Sequence, residues 1–388
     1  MITVFRNGFI LLLMSSLLFV SCSRDDDDFE DLDSVVPEEI SGTISAPTVL
    51  ENRFNNPAAV DYVITRTLIL NANLTIEPGV RIQVSAGQAI DVRAEGSLTA
   101  EGTADNPIII EGVQQTRGFW SYLRFFDSNN PANRLIHCKI SDAGSSSSQN
   151  AIVFIRGNSL VIVQDTEIRN SQTNGLVLAN ANSRLSEFRN NLFAQCDLYP
   201  MSIHNITHAT FIDEETDIEE NNSFNVIRVG NGTLTTPGEI KKTKIPFVFN
   251  GSNLIEADLT VAPGAQLRMG PGAALDVRQE GSLSMIGTPN ERITVTGDVE
   301  TPGYFNYIRF FSSNNPRNEF QYVDVLYGGG STSNNANIYL RNGASLSMSH
   351  SRVANSASWG LRAVSNSTYD DQGNNIFENN AEGDIDAN

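Results

Sequence analysis

Two aromatic and arginine-rich segments carry the side chains that are best suited to contact a ligand. Residues 118–126 have the sequence GFWSYLRFF, and residues 303–311 have the related sequence GYFNYIRFF. Because side chains alternate between the two faces of a β-strand, inward-facing Leu123 and Phe125 predict outward-facing side chains at the alternate positions. The candidate ligand-binding residues are Trp120, Tyr122, Arg124, Phe126, Phe305, Tyr307, Arg309 and Phe311.

An exposed row of aromatic rings with one arginine has a defined chemistry. Aromatic rings stack on the faces of sugars, and a guanidinium pairs with the carboxylate of a uronate or with a sulfate. Exposed apolar patches of this kind mark binding surfaces. The alternative is that a loop or the neighbouring strands cover the rings and form a second small core.

A second repeated group combines carboxylates with an arginine. Asp91, Arg93 and Glu95 recur further along the chain as Asp276, Arg278 and Glu280. Strand alternation places the three side chains of each group on one outward face. A carboxylate beside a guanidinium stays ionised, whereas a general acid needs a raised pKa. The pattern therefore predicts a surface ion pair rather than a catalytic pair.

Two histidines have the spacing of metal ligands on a helix. His204 and His208 are four residues apart, but the surrounding Ile, Phe, Thr and Asn residues favour a strand. On a strand, positions four apart are separated by about 13 Å, which is too far to share one ion. The sequence predicts surface histidines here and no metal site.

Carboxylates also crowd one segment near the middle of the chain. They are Asp213, Glu214, Glu215, Asp217, Glu219 and Glu220. Calcium needs six to eight oxygens that converge from a tight turn, and this segment has no glycine-pivoted calcium loop. We expect a solvated acidic loop and no cofactor, with a structural calcium ion as the alternative.

Length and charge limit the class of protein. A chain of 388 residues exceeds one ordinary globular core, so it must contain several domains or a repeat array. Lys and Arg number 26 against 45 Asp and Glu, which gives a net charge of -19. Such a chain repels phosphate backbones, so nucleic acid is not an expected partner.

The N-terminus has the pattern of an export signal. Arg6 precedes an apolar stretch at residues 9–20, and Cys22 follows it. This pattern resembles a bacterial lipoprotein signal, which implies removal of residues 1–21 and a lipid on Cys22. The acidic run at residues 23–28 resembles the export signal of surface lipoproteins of the Bacteroidota. The resemblance implies an outer-membrane lipoprotein exposed at the cell surface, with residues 22–41 as an acidic flexible linker; a solvated tether without export function is the alternative.

The rest of the chain repeats itself at a fixed offset. Residues 74–79 (LTIEPG) recur as 259–264 (LTVAPG), and residues 91–98 (DVRAEGSL) recur as 276–283 (DVRQEGSL). Both motifs share an offset of 185, and the tetrapeptide SNNP follows the same offset from 128–131 to 313–316. The repetition predicts two tandem homologous halves, residues 42–231 and residues 232–388.

Short apolar runs separated by Gly, Asn, Pro and Ser predict an all-β fold without helices of useful length. Strands this short bury a face only when successive coils stack. The repeated motifs resemble right-handed parallel β-helix proteins of the pectin lyase-like fold, and the likeness covers residues 42–380. A β-sandwich or a propeller is the competing architecture. In the β-helix, the two aromatic segments would lie about eight coils, roughly 40 Å, apart and could grip one polymer.

The repeat also bears on the cysteines. Cys138 and Cys196 are 58 residues apart, which exceeds two coils of about 20 to 25 residues, so we expect no disulfide. Cys138 corresponds to Val323 at the offset of 185, which predicts a small buried apolar side chain.

The sequence does not identify catalytic residues. The resemblance to β-helix proteins implies polysaccharide as a partner, but no set of side chains combines a nucleophile, a base and a stabilising group. We therefore expect a non-catalytic binding role, either glycan capture or adhesion, with membrane attachment through the lipid. A polysaccharide lyase or glycoside hydrolase and a purely structural envelope protein are the alternatives.

Overall fold

The computed structural model describes residues 36–387 except residues 55, 219 and 220. The expected signal sequence, the lipidation site Cys22 and the acidic run lie outside these residues. Within them, nearly all regular structure is β-strand, as predicted, and one helix of four residues is present.

The strands follow one another at short intervals along the chain. The first thirteen are β1 (Glu38–Ile44), β2 (Thr48–Leu50), β3 (Tyr62–Leu70), β4 (Asn73–Ile76), β5 (Arg81–Val84), β6 (Ala89–Val92), β7 (Ser97–Glu101), β8 (Ile108–Gly112), β9 (Tyr122–Phe126), β10 (Arg134–Ile136), β11 (Cys138–Ser141), β12 (Ala151–Arg156) and β13 (Leu160–Gln164). The middle elements are β14 (Glu167–Ser171), β15 (Asn174–Leu178), β16 (Arg184–Arg189), β17 (Leu192–Cys196), β18 (Met201–Ile203), α1 (Ile206–Ala209), β19 (Asp217–Ile218), β20 (Ile227–Val229), β21 (Gly232–Leu234), β22 (Gly238–Ile240), β23 (Phe247–Phe249), β24 (Ser252–Ile255), β25 (Asp258–Val261) and β26 (Gln266–Met269). The last thirteen are β27 (Ala274–Arg278), β28 (Ser282–Ile286), β29 (Ile293–Gly297), β30 (Tyr307–Phe311), β31 (Glu319–Gln321), β32 (Val323–Leu326), β33 (Ala336–Arg341), β34 (Ser345–Ser349), β35 (Arg352–Ala354), β36 (Trp359–Val364), β37 (Thr368–Asp371), β38 (Ile376–Glu378) and β39 (Gly383–Ala387).

Strands that are neighbours in sequence do not pair with each other. Instead, each strand pairs in parallel with a strand about one coil away: β7 lies between β4 and β10, β8 between β5 and β11, and β9 between β6 and β12. All strand pairings in the described part of the chain are parallel, in sheets of 20, 6, 7 and 6 strands. This topology is consistent with a parallel β-helix.

The core is one continuous column of apolar side chains from Leu50 to Ala363. Strands that are exposed on one face show the alternation expected for it, as in β9, where Leu123 and Phe125 are fully buried and the other three side chains are half-buried. Removal of these side chains from water supplies the main favourable free energy of folding, because short parallel strands have little stability in isolation.

Repeated turns connect the sheets by buried hydrogen bonds. The Ser128 hydroxyl donates to the carbonyl of Gly96 at 2.7 Å, and the Asn133 amide group donates to the carbonyl of Ser128 at 2.9 Å. Ser313 and Asn318 make the corresponding bonds at the offset of 185. A Cβ atom on Gly96 would lie 2.0 Å from the carbonyl oxygen of Leu70, so this position needs glycine. The repeated GS and SNNP motifs are therefore explained by the turn that they build.

The strands continue without interruption across the middle of the chain, but the repeat does not return to the same sheet. β6, β9, β12, β15 and β18 form one ladder, which continues through β20, β23, β26 and β29. The strands that match β6, β9 and β12 at the repeat offset are β27, β30 and β33, which belong to a separate sheet. Residues that match at the offset of 185 are therefore separated by seven full coils of the column plus one step to the next sheet.

Candidate functional site

Six outward-facing residues recur as a group on three neighbouring strands. The first cluster consists of Asp91, Arg93, Tyr122, Arg124, Phe126 and Arg156, on and directly after β6, on β9 and on β12. The second cluster consists of Asp276, Arg278, Tyr307, Arg309, Phe311 and Arg341, on β27, β30 and β33. All six residue types are identical at the offset of 185.

A buried carboxylate holds the central arginine of each cluster. Arg124 Nε and Nη2 donate to the two carboxylate oxygens of Asp91, both at 2.8 Å. Arg309 makes the same two bonds to Asp276, at 2.8 and 2.7 Å. The register explains the geometry, because Asp91 lies directly beside Arg124 on the neighbouring strand. The hydrogen bonds to Asp91 raise the pKa of Arg124, and those to Asp276 raise the pKa of Arg309.

Aromatic rings flank the central guanidinium on both sides. Arg124 Cζ lies 5.3 Å from the ring centroid of Tyr122 and 5.3 Å from that of Phe126. In the second cluster, Arg309 Cζ lies 5.1 Å from Tyr307 and 5.5 Å from Phe311. These are cation–π distances. The rings and the guanidinium therefore form one pre-organised surface, with the aromatic side chains half-exposed.

Each cluster has an excess of positive charge. Arg93 forms a second ion pair with Asp91, and Arg278 forms one with Asp276 at 2.6 Å. The third arginine, Arg156 or Arg341, is exposed and lies beside Phe126 or Phe311 on the next strand. In the described residues, neither Arg156 nor Arg341 forms an ion pair with a carboxylate. Each cluster thus has three guanidiniums and one carboxylate, and two of the guanidiniums pair with that carboxylate.

Trp120 and Phe305 do not belong to this surface, and their predicted outward orientation is wrong. Both side chains are fully buried, and Trp120 Nε1 donates to the carbonyl oxygen of Ser141 at 2.7 Å. β9 begins at Tyr122 and β30 at Tyr307, so the two residues lie in the preceding turn, where strand alternation does not apply. Tyr122, Arg124, Phe126, Tyr307, Arg309 and Phe311 face outward as predicted.

The alternative of a second small core applies to part of the third strand of the first cluster, β12. Phe154 faces outward beside Arg124 yet is only 6% exposed, and it packs with Val177 in a small separate apolar group. Tyr339 occupies the matching place beside Arg309 and is 5% exposed. A groove of about 360 Å³, lined by Phe154, Val177, Ser202 and Arg228 among others, continues the first cluster along its sheet.

Some outward-facing residues outside the clusters differ at the offset of 185. Arg134 on β10 corresponds to Glu319 on β31, and Lys139 on β11 corresponds to Asp324 on β32. Both pairs reverse their charge. The clusters therefore keep their charges at the offset of 185, whereas these two positions do not.

The ion pair between Asp91 and Arg93 forms as predicted, but Asp91 is only 2% exposed because two arginines cover it. Glu95, which the sequence placed on the same outward face, is exposed in the turn after β6. Arg124 as the main partner of Asp91 was not predicted, because cross-strand register is not visible in a single segment.

The interpretation of His204 and His208 needs correction. Residues 206–209 form α1 rather than a strand, and the two imidazole centroids are 6.2 Å apart. His208 is 1% exposed, and its two ring nitrogens lie 2.8 Å from the side-chain oxygen of Asn205 and 2.8 Å from the carbonyl oxygen of Ser183. Burial lowers the pKa of His208. A neutral imidazole has one N–H, so one of these two oxygens accepts a hydrogen bond from it, and the buried ring serves the structure.

Cys138 and Cys196 are free and buried, which confirms the absence of a disulfide between them. Burial raises the pKa of each thiol to about 12.

In the acidic segment, Glu214 pairs with Lys241 at 3.2 Å and Asp217 with Lys244 at 2.7 Å. Among the residues the structure describes, no three His, Cys, Asp or Glu side chains are grouped so that they could hold a metal ion. Glu219 and Glu220 lie outside the described residues.

Comparison with known proteins gives no match: no family model, no curated protein and no solved structure is similar to the chain. The part of the chain with described structure contains no helix that is long and apolar enough to cross a membrane. The site must therefore be interpreted from its own chemistry.

Arg156 and Arg341 are the functional candidates that the sequence analysis missed. A signal for them was present, since both residues end an apolar run and share the offset of 185. They were missed because each lies about one coil beyond the aromatic segment, and only the register of β9 with β12 and of β30 with β33 brings them to the rings.

Proposed function

We propose that this protein binds an acidic polysaccharide, without acting on it chemically, through the first and second clusters. The observation that carries the proposal is the identity of all six cluster residues at the offset of 185, whereas outward-facing Arg134 and Lys139 are replaced there by Glu319 and Asp324. Burial accounts for the Asp91–Arg124 pair, but it does not account for exposed Arg156 and Arg341.

The side-chain chemistry favours a sugar polymer that carries carboxylates or sulfates. Half-exposed Tyr and Phe rings offer apolar faces to sugar rings, and the unpaired guanidinium of Arg156 or Arg341 offers two parallel donors to an anionic group. The net charge of -19 limits general attraction of polyanions. Anionic ligands would be drawn to local groups of arginines such as the clusters rather than to the surface as a whole, which favours recognition of repeated sugars over non-specific binding.

The fold and location belong to the same proposal. We infer a right-handed parallel β-helix, because parallel crossovers are right-handed in nearly all known cases, and two homologous halves, because the strands match at one offset.

A lipid on Cys22 and an extended acidic linker would hold this body outside the outer membrane, as in surface lipoproteins of the Bacteroidota. Loss of fatty-acid labelling in Cys22→Ala, together with protease cleavage of the native protein on intact cells, tests the anchor and its orientation.

Affinity electrophoresis tests the binding role. The protein is run through gels that contain polygalacturonate, alginate, chondroitin sulfate or neutral dextran, with duplex DNA as a further polyanion. We expect retardation in at least one acidic polysaccharide, none in dextran, and a loss of affinity of about tenfold or more in Arg156→Ala/Arg341→Ala, since two charge-assisted contacts are removed.

A matched control keeps the charge change and moves it to another sheet. Arg184→Ala/Arg189→Ala removes two exposed arginines of β16, which belongs to a sheet that carries neither cluster, and should leave retardation unchanged. Equal losses in both variants, or binding to DNA alone, would reject the proposal. The appearance of new reducing or unsaturated sugar ends during incubation would replace it with the lyase or hydrolase alternative.

A further inference from the structure

The first and second clusters lie on different sheets of the same column. The ladder that carries the first cluster runs through β9, β12, β15, β18, β20, β23, β26 and β29. The second cluster is centred on β30, which follows β29 in the chain but pairs with β27 and β33 in the next sheet around the column. At the junction, α1 takes the place of a strand between β18 and β19 and packs against β21.

The axial distance between the clusters follows from the same ladder. Seven strand-to-strand steps separate β9 from β29, and each step is about 4.8 Å, which gives roughly 34 Å along the axis. The expected separation of roughly 40 Å was therefore close. The expectation that both patches grip one polymer assumed a shared face, and the sheet assignment removes that assumption.

A polymer laid along the sheet of the first cluster does not meet the second cluster. At the level of β29, that sheet presents Thr294 and Thr296, and one rung earlier it presents Arg268. Tyr307, Arg309 and Phe311 face a different direction, around the corner between β29 and β30. A stiff acidic polysaccharide would have to bend around this corner within roughly 34 Å to reach both clusters.

We propose that the two clusters bind two separate polysaccharide chains, so that one protein molecule bridges them. This inference rests on the proposed function, since it needs both clusters to bind acidic sugars. It gives the repeat a physical role: two equal sites that point in different directions join polymer chains, whereas two sites on one face would strengthen the grip on one chain.

Calorimetric titration of the full chain with an acidic tetrasaccharide, for example tetragalacturonate, tests the number of independent sites. Wild-type protein should bind two tetrasaccharides with equal affinity. Phe126→Ala/Arg156→Ala and Phe311→Ala/Arg341→Ala each remove exposed or half-exposed groups from one cluster, and each should bind one tetrasaccharide with unchanged affinity. Circular dichroism confirms that both variants are folded.

Light scattering with the full-length polymer tests bridging. Wild-type protein should raise the scattering of a dilute polymer solution several-fold at ratios below saturation, and neither single-cluster variant should do so. The inference is overturned if the wild type binds two tetrasaccharides without a rise in scattering and its affinity for the polymer exceeds that of either single-cluster variant about a hundredfold, which is the avidity of two sites on one chain. Failure to bind any acidic tetrasaccharide or polymer rejects the proposed function itself.

Discussion

At the scale of single residues, the central arginine and the exposed arginine of each cluster have different roles. Arg124 gives two donors to buried Asp91 and lies between two rings, so it organises the first cluster. Arg156 is exposed beside Phe126 and keeps its donors for a ligand. In the second cluster, Arg309 donates to buried Asp276 and Arg341 is exposed in the same way.

Arg124→Gln should destabilise the protein. It removes the main partner of a carboxylate that is 2% exposed and leaves only Arg93 to compensate, so we expect a loss of about 2 to 4 kcal/mol in the free energy of unfolding. Arg156→Ala removes an exposed side chain without an ion pair and should change stability by about 0.5 kcal/mol or less. Urea denaturation measures both values. A loss in Arg124→Gln no greater than in Arg156→Ala would show that the Asp91 pair does not support the fold.

The two described cysteines should be inert in the native protein. Burial raises the pKa of Cys138 and Cys196 to about 12, so the thiolate is scarce at pH 8 and the sulfur atoms are inaccessible. In a Cys22→Ser chain, Ellman's reagent should detect no thiol under native conditions and two thiols in urea. Rapid reaction of either thiol in the folded protein would contradict its burial.

At the scale of elements, strand patterns were predictable and their ends were not. Alternating apolar residues identified the strands that place Tyr122, Arg124 and Phe126 outward, because alternation is a local property. Trp120 was assigned incorrectly because the turn before β9 leaves no mark in the apolar pattern. α1 escaped prediction because four residues are too few for a helical period.

α1 should make stability depend on pH. The pKa of His208 is lowered by burial, so the unfolded chain takes up a proton at this residue more readily than the folded protein does. The contribution of neutral His208 is fully present above about pH 6.5 and is lost as the pH falls toward the lowered folded-state pKa. The stability advantage of the wild type over His208→Gln should therefore shrink between pH 7.5 and pH 5. An advantage that is constant or grows over this range would contradict the assignment.

At the scale of the whole molecule, the offset of 185 was visible in the sequence, but its meaning in three dimensions was not. Coil lengths vary, so the number of strands between two matching motifs cannot be counted from spacing alone. That count includes α1 and the short strands β19 and β20 near the junction, which the sequence analysis did not identify. The pairing of β20 with β18 and β23 shows that the ladder of the first cluster continues in the same sheet past the junction, whereas the strands that match the cluster at the offset of 185 lie in another sheet.

Hydroxyl-radical footprinting of the intact protein on its acidic polysaccharide tests the central claim most directly, because it locates the ligand without any substitution. Oxidation of Phe126 and Phe311 should fall together when the polymer binds, while oxidation of Phe224, which is 50% exposed and lies outside both clusters, should not change. Unchanged oxidation of Phe126 and Phe311 in the bound protein, with protection elsewhere on the column, would contradict it.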